Sequence, residues 1–305
     1  MPQQFSGLFS RRGLSLDRLH VLLSVADAGG IAKAAGDDPI RQSQYSRQLK
    51  ELAEYFGVEL TRREGKSLSL TQAGRRLADI VREYLTALSD FDADAHGKMC
   101  EIVIGAGDSV IHWLLLPRIQ ALQDKFPSVN VNLRNRRTDE INEGIREMSL
   151  DFGIMRGDSA PDSVRKCRLG RLEYALFLPA TFKGQKKCSD PAKILAEFPL
   201  VVLNLSGELA RQFDVVTSKM RVVPLVKMQC DSLPQAFQAV ETGRFAAVLP
   251  MLAKPFAESR GISIIRSKLF SGMGRDIDLI WNPRLERVRP LIAQLADFIK
   301  DGWKF

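Results

Sequence analysis

Between residues 41 and 50 the chain crowds together side chains that can read nucleic acid: Arg41, Gln42, Ser43, Gln44, Ser46, Arg47 and Lys50. Arg can take guanine, and Gln adenine, in paired hydrogen bonds; Ser can meet either, and Lys and Arg also hold phosphates. The same residues would equally make the solvated side of an ordinary helix, because polar helix faces are the rule. A second basic group sharpens the choice. Leu60-Thr61-Arg62, Arg63-Glu64-Gly65-Lys66 and Ser67-Leu68-Ser69-Leu70 read as strand, basic turn, strand. That hairpin would carry Arg62, Arg63 and Lys66 at or near its tip, suited to phosphates or a minor groove.

Three helices must hold these groups. Leu16 to Ala26 has helix-like apolar spacing, with Ser15 as N-cap and Gly29-Gly30 as the stop. A short helix over Ile31 to Ala35 is ended by Gly36-Asp37-Asp38-Pro39. Tyr45, Leu49, Leu52, Ala53 and Phe56 then form one apolar face, and the base-reading residues lie on the other side and at the helix start. Thr71 caps a long helix after the hairpin. Helix, turn, helix and basic wing make a winged helix-turn-helix, in which the recognition helix enters the major groove N-terminus first.

Within that frame, Leu16-Asp17-Arg18-Leu19, Ala32-Lys33-Ala34-Ala35, Ser46-Arg47-Gln48-Leu49, Leu52, Phe56-Gly57-Val58, Leu60, Arg62 and Leu70-Thr71-Gln72-Ala73-Gly74 follow in a set order. The stretch from Leu16 to Gly74 resembles the DNA-binding domain of LysR-type transcriptional regulators. It departs from that pattern at the entry to the recognition helix. Where the family has a leucine and then a Val-Ser-Gln-Pro-like entry, this chain reads Asp38, Pro39, Ile40, Arg41, Gln42 and Ser43. Arg41 replaces the usual capping serine, so the helix start is expected to shift by a residue or two.

Leu77, Val81, Tyr84, Leu88 and Phe91 step by four, three, four and three, a 3.5-residue seam. Such a seam fits pairing with a second copy, or docking on the helix's own domain. The resemblance implies the first, since the family dimerises through a linker helix here, and two-fold related helices can read two half-sites. Asp92 to Lys98 breaks the pattern as a hinge.

From Cys100 onward short strands alternate with helices, an α/β pattern with a mostly parallel sheet. Strands are expected at Cys100–Gly105, Val129–Leu133, Asp151–Met155, Tyr174–Leu178, Leu200–Leu203, Arg221–Val226, Ala246–Leu249, Ile262–Ile265 and Ile277–Trp281. Helices are expected at Leu114–Phe126, from Thr138 on, and at Pro191–Glu197, Leu233–Thr242 and Leu285–Lys300. Leu115-Leu116-Pro117, Phe126-Pro127, Asp151-Phe152-Gly153-Ile154 and Gly243 leading to Val248-Leu249-Pro250 resemble the family's effector-binding domain. The family's second glycine after Gly243 is replaced by Arg244-Phe245. The resemblance implies the two-lobed fold of type II periplasmic binding proteins, with a ligand between the lobes.

The expected plan is thus a flexible extension (1–14), a winged helix-turn-helix (15–71), a dimerisation linker helix (72–95) and an effector domain (96–305). Lobe one would hold 99–164 and 267–305, and lobe two 165–266. The cleft residues implied are Asp108, Ser109, Val110 and Thr138, with Leu205 and Ser206 from lobe two. Taken as residues alone, Asp108 and Thr138 read as plain N-caps. Arg134, Arg136 and Arg137 could attract an anion or simply form a solvated basic edge.

The 305 residues are 45% hydrophobic and 26% charged, which excludes a wholly disordered chain. Residues 1–95 hold 13 Lys+Arg against 13 Asp+Glu, so the net +8 lies entirely in residues 96–305. Inside the reader the charge is local: residues 41–76 carry eight Lys+Arg and four Glu. No apolar run reaches the roughly 18 residues of a membrane span, and the N-terminus does not read as a signal peptide, so a cytoplasmic protein is expected. Cys100, Cys167, Cys188 and Cys230 are scattered and three histidines lie apart, so neither a metal site nor an enzyme is expected. The four cysteines read as free thiols, with a Cys167–Cys188 redox pair as the alternative. No cofactor is expected beyond a small-molecule effector. The resemblance implies double-stranded DNA, a second copy (dimer, then tetramer), the effector and RNA polymerase as partners. The alternative function is a small-molecule binding protein of the same two-lobed fold with no specific DNA target.

Overall fold

The computed structural model describes residues 6–36, 38–64, 67–185, 190–204 and 208–305. The chain divides into two compact units, Met1–His96 and Gly97–Phe305.

The first unit contains α1 (Ser6–Phe9), α2 (Leu16–Ala28), α3 (Ile31–Ala34), α4 (Pro39–Phe56), β1 (Thr61–Glu64), β2 (Ser67–Leu70) and α5 (Gln72–Ala95). The Ser15 hydroxyl accepts the Arg18 N–H to open α2, and Gly29, at φ 72°, closes it. Asp38 opens α4: its carboxylate accepts the N–H groups of Ile40 at 2.9 Å and Arg41 at 3.4 Å, and Pro39 takes the first helical position. The capping oxygen that Arg41 lacks is therefore supplied earlier in the chain. Asp38→Ala should cost about 1 kcal/mol of stability, and urea unfolding of the variant reads that loss directly.

Leu22, Leu49, Leu52, Leu60, Leu70 and Val81 form one core under α2, α4 and α5. The Thr71 hydroxyl donates to Glu59 O at 2.7 Å and accepts the Gly74 N–H at 3.0 Å, fixing the start of α5 against the segment that leads into β1. At Gly74 a Cβ would collide with the Leu60 carbonyl oxygen, so this close crossing admits only glycine. Within the expected flexible extension (1–14), Arg11 donates to Tyr55 O at 3.4 Å and the Tyr55 hydroxyl donates to Leu8 O. Helix α5 runs through Asp92 to Ala95 where a hinge was expected; Gly97, at φ 60°, follows it.

The second unit opens with β3 (Cys100–Ala106), α6 (Asp108–Val110), a π turn (Ile111–Leu115), α7 (Leu116–Lys125), β4 (Val129–Asn135), α8 (Thr138–Arg146) and β5 (Phe152–Arg156). It continues through β6 (Arg165–Leu172), β7 (Tyr174–Leu178), α9 (Pro191–Glu197), β8 (Leu200–Leu203), α10 (Glu208–Lys219), β9 (Val226–Cys230) and α11 (Leu233–Glu241). It ends with β10 (Ala247–Pro250), α12 (Lys254–Ser259), β11 (Ser263–Ile265), β12 (Arg275–Trp281), α13 (Leu285–Val288) and α14 (Pro290–Gly302).

One sheet has the order β4-β3-β5-β12-β6, with β3 parallel to β4 and β5 but β12 antiparallel to β5 and β6. In the second lobe β7 pairs antiparallel with β10 and β11, β8 pairs parallel with β9, and a Leu200↔Ala246 bridge joins the two sets. The sheets are mixed rather than mostly parallel, because the chain crosses between lobes after β6 and returns before β12. Residues 165–172, expected to open lobe two without a strand, form β6, which is hydrogen-bonded into the first sheet. The strand expected at Arg221–Val226 begins only at Val226, beyond Pro224, which has no N–H to give a ladder. Helix formation starts at Asp108 instead of Leu114, and the last helix is split at Arg289.

Candidate nucleic-acid interface and effector cleft

Helix α4 does not show all its polar residues alike. Arg41, Ser43, Gln44, Arg47 and Lys50 are exposed, whereas Gln42 and Ser46 are half-buried on the flank of the core-facing side. Ser43, Gln44, Arg47 and Lys50 recur at three- and four-residue steps and so make one stripe. Glu51 completes this stripe in a way the sequence reading missed. It accepts the Arg47 Nε–H at 3.0 Å and the Arg18 Nε–H at 2.9 Å. Hydrogen bonds from Arg18 and then Arg47 hold its carboxyl below the ordinary range. The i,i+4 spacing of Arg47 and Glu51 was the available signal. Lys50 faces Glu54 at 3.9 Å.

In the wing, β1 and β2 are antiparallel with Arg62 opposite Ser69 and Arg63 opposite Leu68. Both arginines are exposed and lie within the strand rather than in the turn. Lys66 lies outside the described residues.

The seam on α5 divides. Val81 is 5% exposed inside the unit's own core, and Leu77 packs against that core. Tyr84, Leu88 and Phe91 are 61%, 55% and 72% exposed, and Ile80 joins them at 39%. The outward apolar stripe is therefore Ile80, Tyr84, Leu88 and Phe91, and Val81 is spent on intramolecular packing.

In the second unit, β3, β4 and β5 are parallel, so their C-terminal ends reach one edge of the sheet, where α/β folds bind ligands. Gly107–Val110, Asn135–Thr138 and Arg156 follow those ends and line a cleft of about 530 Å³. Leu203, Leu209, Asp231, Ser232 and Leu233 line it from the second lobe, with Tyr174 and Arg275 near the crossovers. The cleft thus brings together Asp108, Ser109, Val110, Thr138, Arg136 and Arg137, but Arg134 is not in its wall. Leu205 and Ser206 lie outside the described residues.

Neither Asp108 nor Thr138 is the expected cap. Gly107 precedes α6, leaving Asp108 as its first residue. Arg137 precedes α8, and the Glu140 carboxylate accepts the Arg137 N–H at 2.7 Å. Arg156 and Arg275 were not foreseen. Arg156 bonds Ser159 Oγ at 2.9 Å and pairs with Asp158 at 3.2 Å. Arg275 donates from Nη2 to Gln212 Oε1 at 3.4 Å, while its Nε is buried without a hydrogen-bond partner. Burial pushes the Tyr174 hydroxyl pKa up, against the nearby Arg275 charge. Burial also pushes up the thiols of Cys167 and Cys230. Cys188 lies outside the described residues, and with it the Cys167–Cys188 pair. No described helix is long and apolar enough to cross a membrane, and no group of three metal-ligating side chains occurs among the described residues.

Residues 16–75 match the family model "Bacterial regulatory helix-turn-helix protein, lysR family", and residues 96–304 match "LysR substrate binding domain". The chain is 24% identical to a "Probable hydrogen peroxide-inducible genes activator" of Mycobacterium leprae, over 82% of this chain and 80% of that protein. It is 22% identical to a "Probable RuBisCO transcriptional regulator" of Phaeodactylum tricornutum, over 95% and 94% of the two. Among solved structures, a full-length cysteine-to-aspartate variant of OxyR from Pseudomonas aeruginosa superposes with a TM-score of 0.64 at 19% identity, covering 95% of this chain and 96% of that one. Full-length LysG of Corynebacterium glutamicum with bound effector Arg gives a TM-score of 0.57 at 16% identity, over 92% and 99%. At these identities the superpositions show the fold.

Proposed function

The chain belongs to the LysR family of transcriptional regulators, with a helix-turn-helix DNA-binding domain and an effector-binding domain, and from that premise we propose how its residues share the work. Ser43, Gln44 and Arg47 read base edges from the exposed stripe of α4. Arg41 and Lys50 at the edges of that stripe, with Arg62, Arg63 and Lys66 on the wing, hold phosphates. Gln42 and Ser46 contribute only where the backbone of α4 lies against the groove. The observation that carries this division is the single exposed stripe on α4 in the same unit as two exposed wing arginines. Glu51 keeps Arg47 extended along the helix before DNA arrives.

Self-association through Ile80, Tyr84, Leu88 and Phe91 would place two such units on two half-sites. A groove lined by Phe56, Val58, Leu77 and Ile80, among others, continues that stripe and would receive the second copy's helix. The cleft between the lobes is the seat of a small-molecule effector, with Ser109, Thr138, Arg136, Arg137 and Arg275 as its polar contacts.

Fluorescence anisotropy on DNA from immediately upstream of the gene, at two salt concentrations with competitor DNA, tests the DNA assignment. Arg47→Ala should cost about 1–3 kcal/mol on the specific site only. Arg62→Ala and Arg63→Ala should weaken all sequences alike and each lower the salt slope by about one. No loss from any of the three would remove these residues from the interface. Binding by the parent protein that competitor abolishes would favour a small-molecule binding protein without a specific DNA target.

A further inference from the structure

A second cavity opens beside the cleft. It holds about 190 Å³ and lies within the second lobe, with Val202, Phe213, Ala210, Ala236, Val248 and Met273 among its walls. Leu203, Leu209 and Leu233 line both spaces, so the cavity adjoins the cleft across these three side chains. Its polar lining residues, Asp214 and Gln229, are both exposed. An apolar cavity of about 150 Å³ stays dry and takes benzene, so this one suits a single ring or a chain of similar bulk.

The polar end of the same ligand is marked by Arg275. It lines the cleft two residues after Met273 of the cavity wall, and its partner Gln212 lies on α10 between Leu209 and Phe213 of that wall. The Arg275 Nε is buried without a hydrogen-bond partner, and no described carboxylate forms an ion pair with this guanidinium. Of the other charges lining the cleft, Glu140 accepts the Arg137 backbone N–H, Asp231 accepts the Asn204 amide, Arg156 pairs with Asp158 and Arg136 donates to Asn135 O at 3.1 Å, while the Arg137 guanidinium is a second cation on the wall. Asp108 also lines the cleft.

We propose that the effector is an organic monocarboxylate whose carboxylate meets Arg275 in the cleft and whose compact apolar tail, one ring or about six carbons, fills the second-lobe cavity. This rests on the reading of the cleft as the effector's seat. A bare dianion or a sugar would leave the cavity empty, and a long fatty acid would outgrow it.

Titration calorimetry on the full-length protein with acetate, butyrate, hexanoate, decanoate, benzoate and 1-hexanol tests the assignment. Affinity should rise about fourfold per methylene from butyrate to hexanoate and then level off. Hexanoate and benzoate separate chain from ring, and saturable binding of either supports the cavity. 1-Hexanol should bind at least about tenfold more weakly than hexanoate, and Arg275→Gln should erase that difference. Ala210→Phe, which fills the cavity, should flatten the chain-length series; Ala236→Leu makes the same test if the first variant does not fold. No saturable binding by any acid, or a series unchanged by either filling variant, overturns the proposal. Equal binding of hexanol and hexanoate overturns its carboxylate half. Acid binding that leaves operator affinity unchanged would uphold the cavity while refuting effector control of DNA binding, so the two readings fail separately.

Discussion

Arg289→Met should destabilise the second unit by about 3–5 kcal/mol. Arg289 is 3% exposed and ion-pairs with Asp151, itself 5% exposed. The guanidinium also donates to Glu101 O at 2.9 Å and to Cys100 Sγ at 3.4 Å, and Asp151 accepts the Val103 N–H at 2.7 Å. The pair therefore ties the segment between α13 and α14 to the first sheet. Methionine fills most of the space but leaves the Asp151 charge buried with its main partner gone, and that unpaired charge is the large term. Adding Asp151→Asn removes the charge while keeping an oxygen for the Val103 N–H, so the double variant should recover much of the loss. Urea unfolding followed by circular dichroism measures both. A single variant within about 1 kcal/mol of the parent would show that the pair is not holding this unit together.

Leu88→Asp combined with Phe91→Asp should leave a folded monomer whose affinity for a two-half-site operator falls by about a hundredfold or more. Each subunit would then bind alone, without the high effective concentration that a joined second reader supplies. Both side chains are more than half exposed, so the change should cost the isolated unit little. Val81→Asp, only one turn away from this stripe, is the contrasting control: it buries a charge in the unit's own core and should unfold it. Sedimentation velocity gives the mass and anisotropy gives the affinity. A double variant that sediments like the parent would place the self-association surface elsewhere.

Residues whose meaning is local were legible in the sequence. Ser15, Gly29 and Thr71 announce helix ends because their side chains, or the lack of one, act on backbone groups three or four residues away. The polar run on α4 was legible by composition, but the period decided which residues face outward: Gln42 and Ser46 belong to the flank of the inward side, Ser43, Gln44 and Arg47 to the outward one. The entry to α4 shows a local signal passed over, since Asp38-Pro39 is itself a cap and first-turn pair.

What depended on packing was not legible. A 3.5-residue seam names a stripe without saying which part the helix's own domain covers, and that cover takes Leu77 and Val81 while sparing Ile80. The parallel strand ends that carry Asp108, Ser109 and Thr138 follow from alternating elements. Arg156 and Arg275 look like surface cations until β5 and β12 are seen to pair across more than a hundred residues. The same long-range pairing moves β6 into the first sheet and sets Arg289 on Asp151. Most element types and the caps at Ser15 and Thr71 were determined by the sequence itself, because they arise from contacts within a few residues. Strand sense, the lobe border, the buried ion pair and the apolar annex to the cleft were decided only by the tertiary structure, because each depends on which distant segments exclude water together.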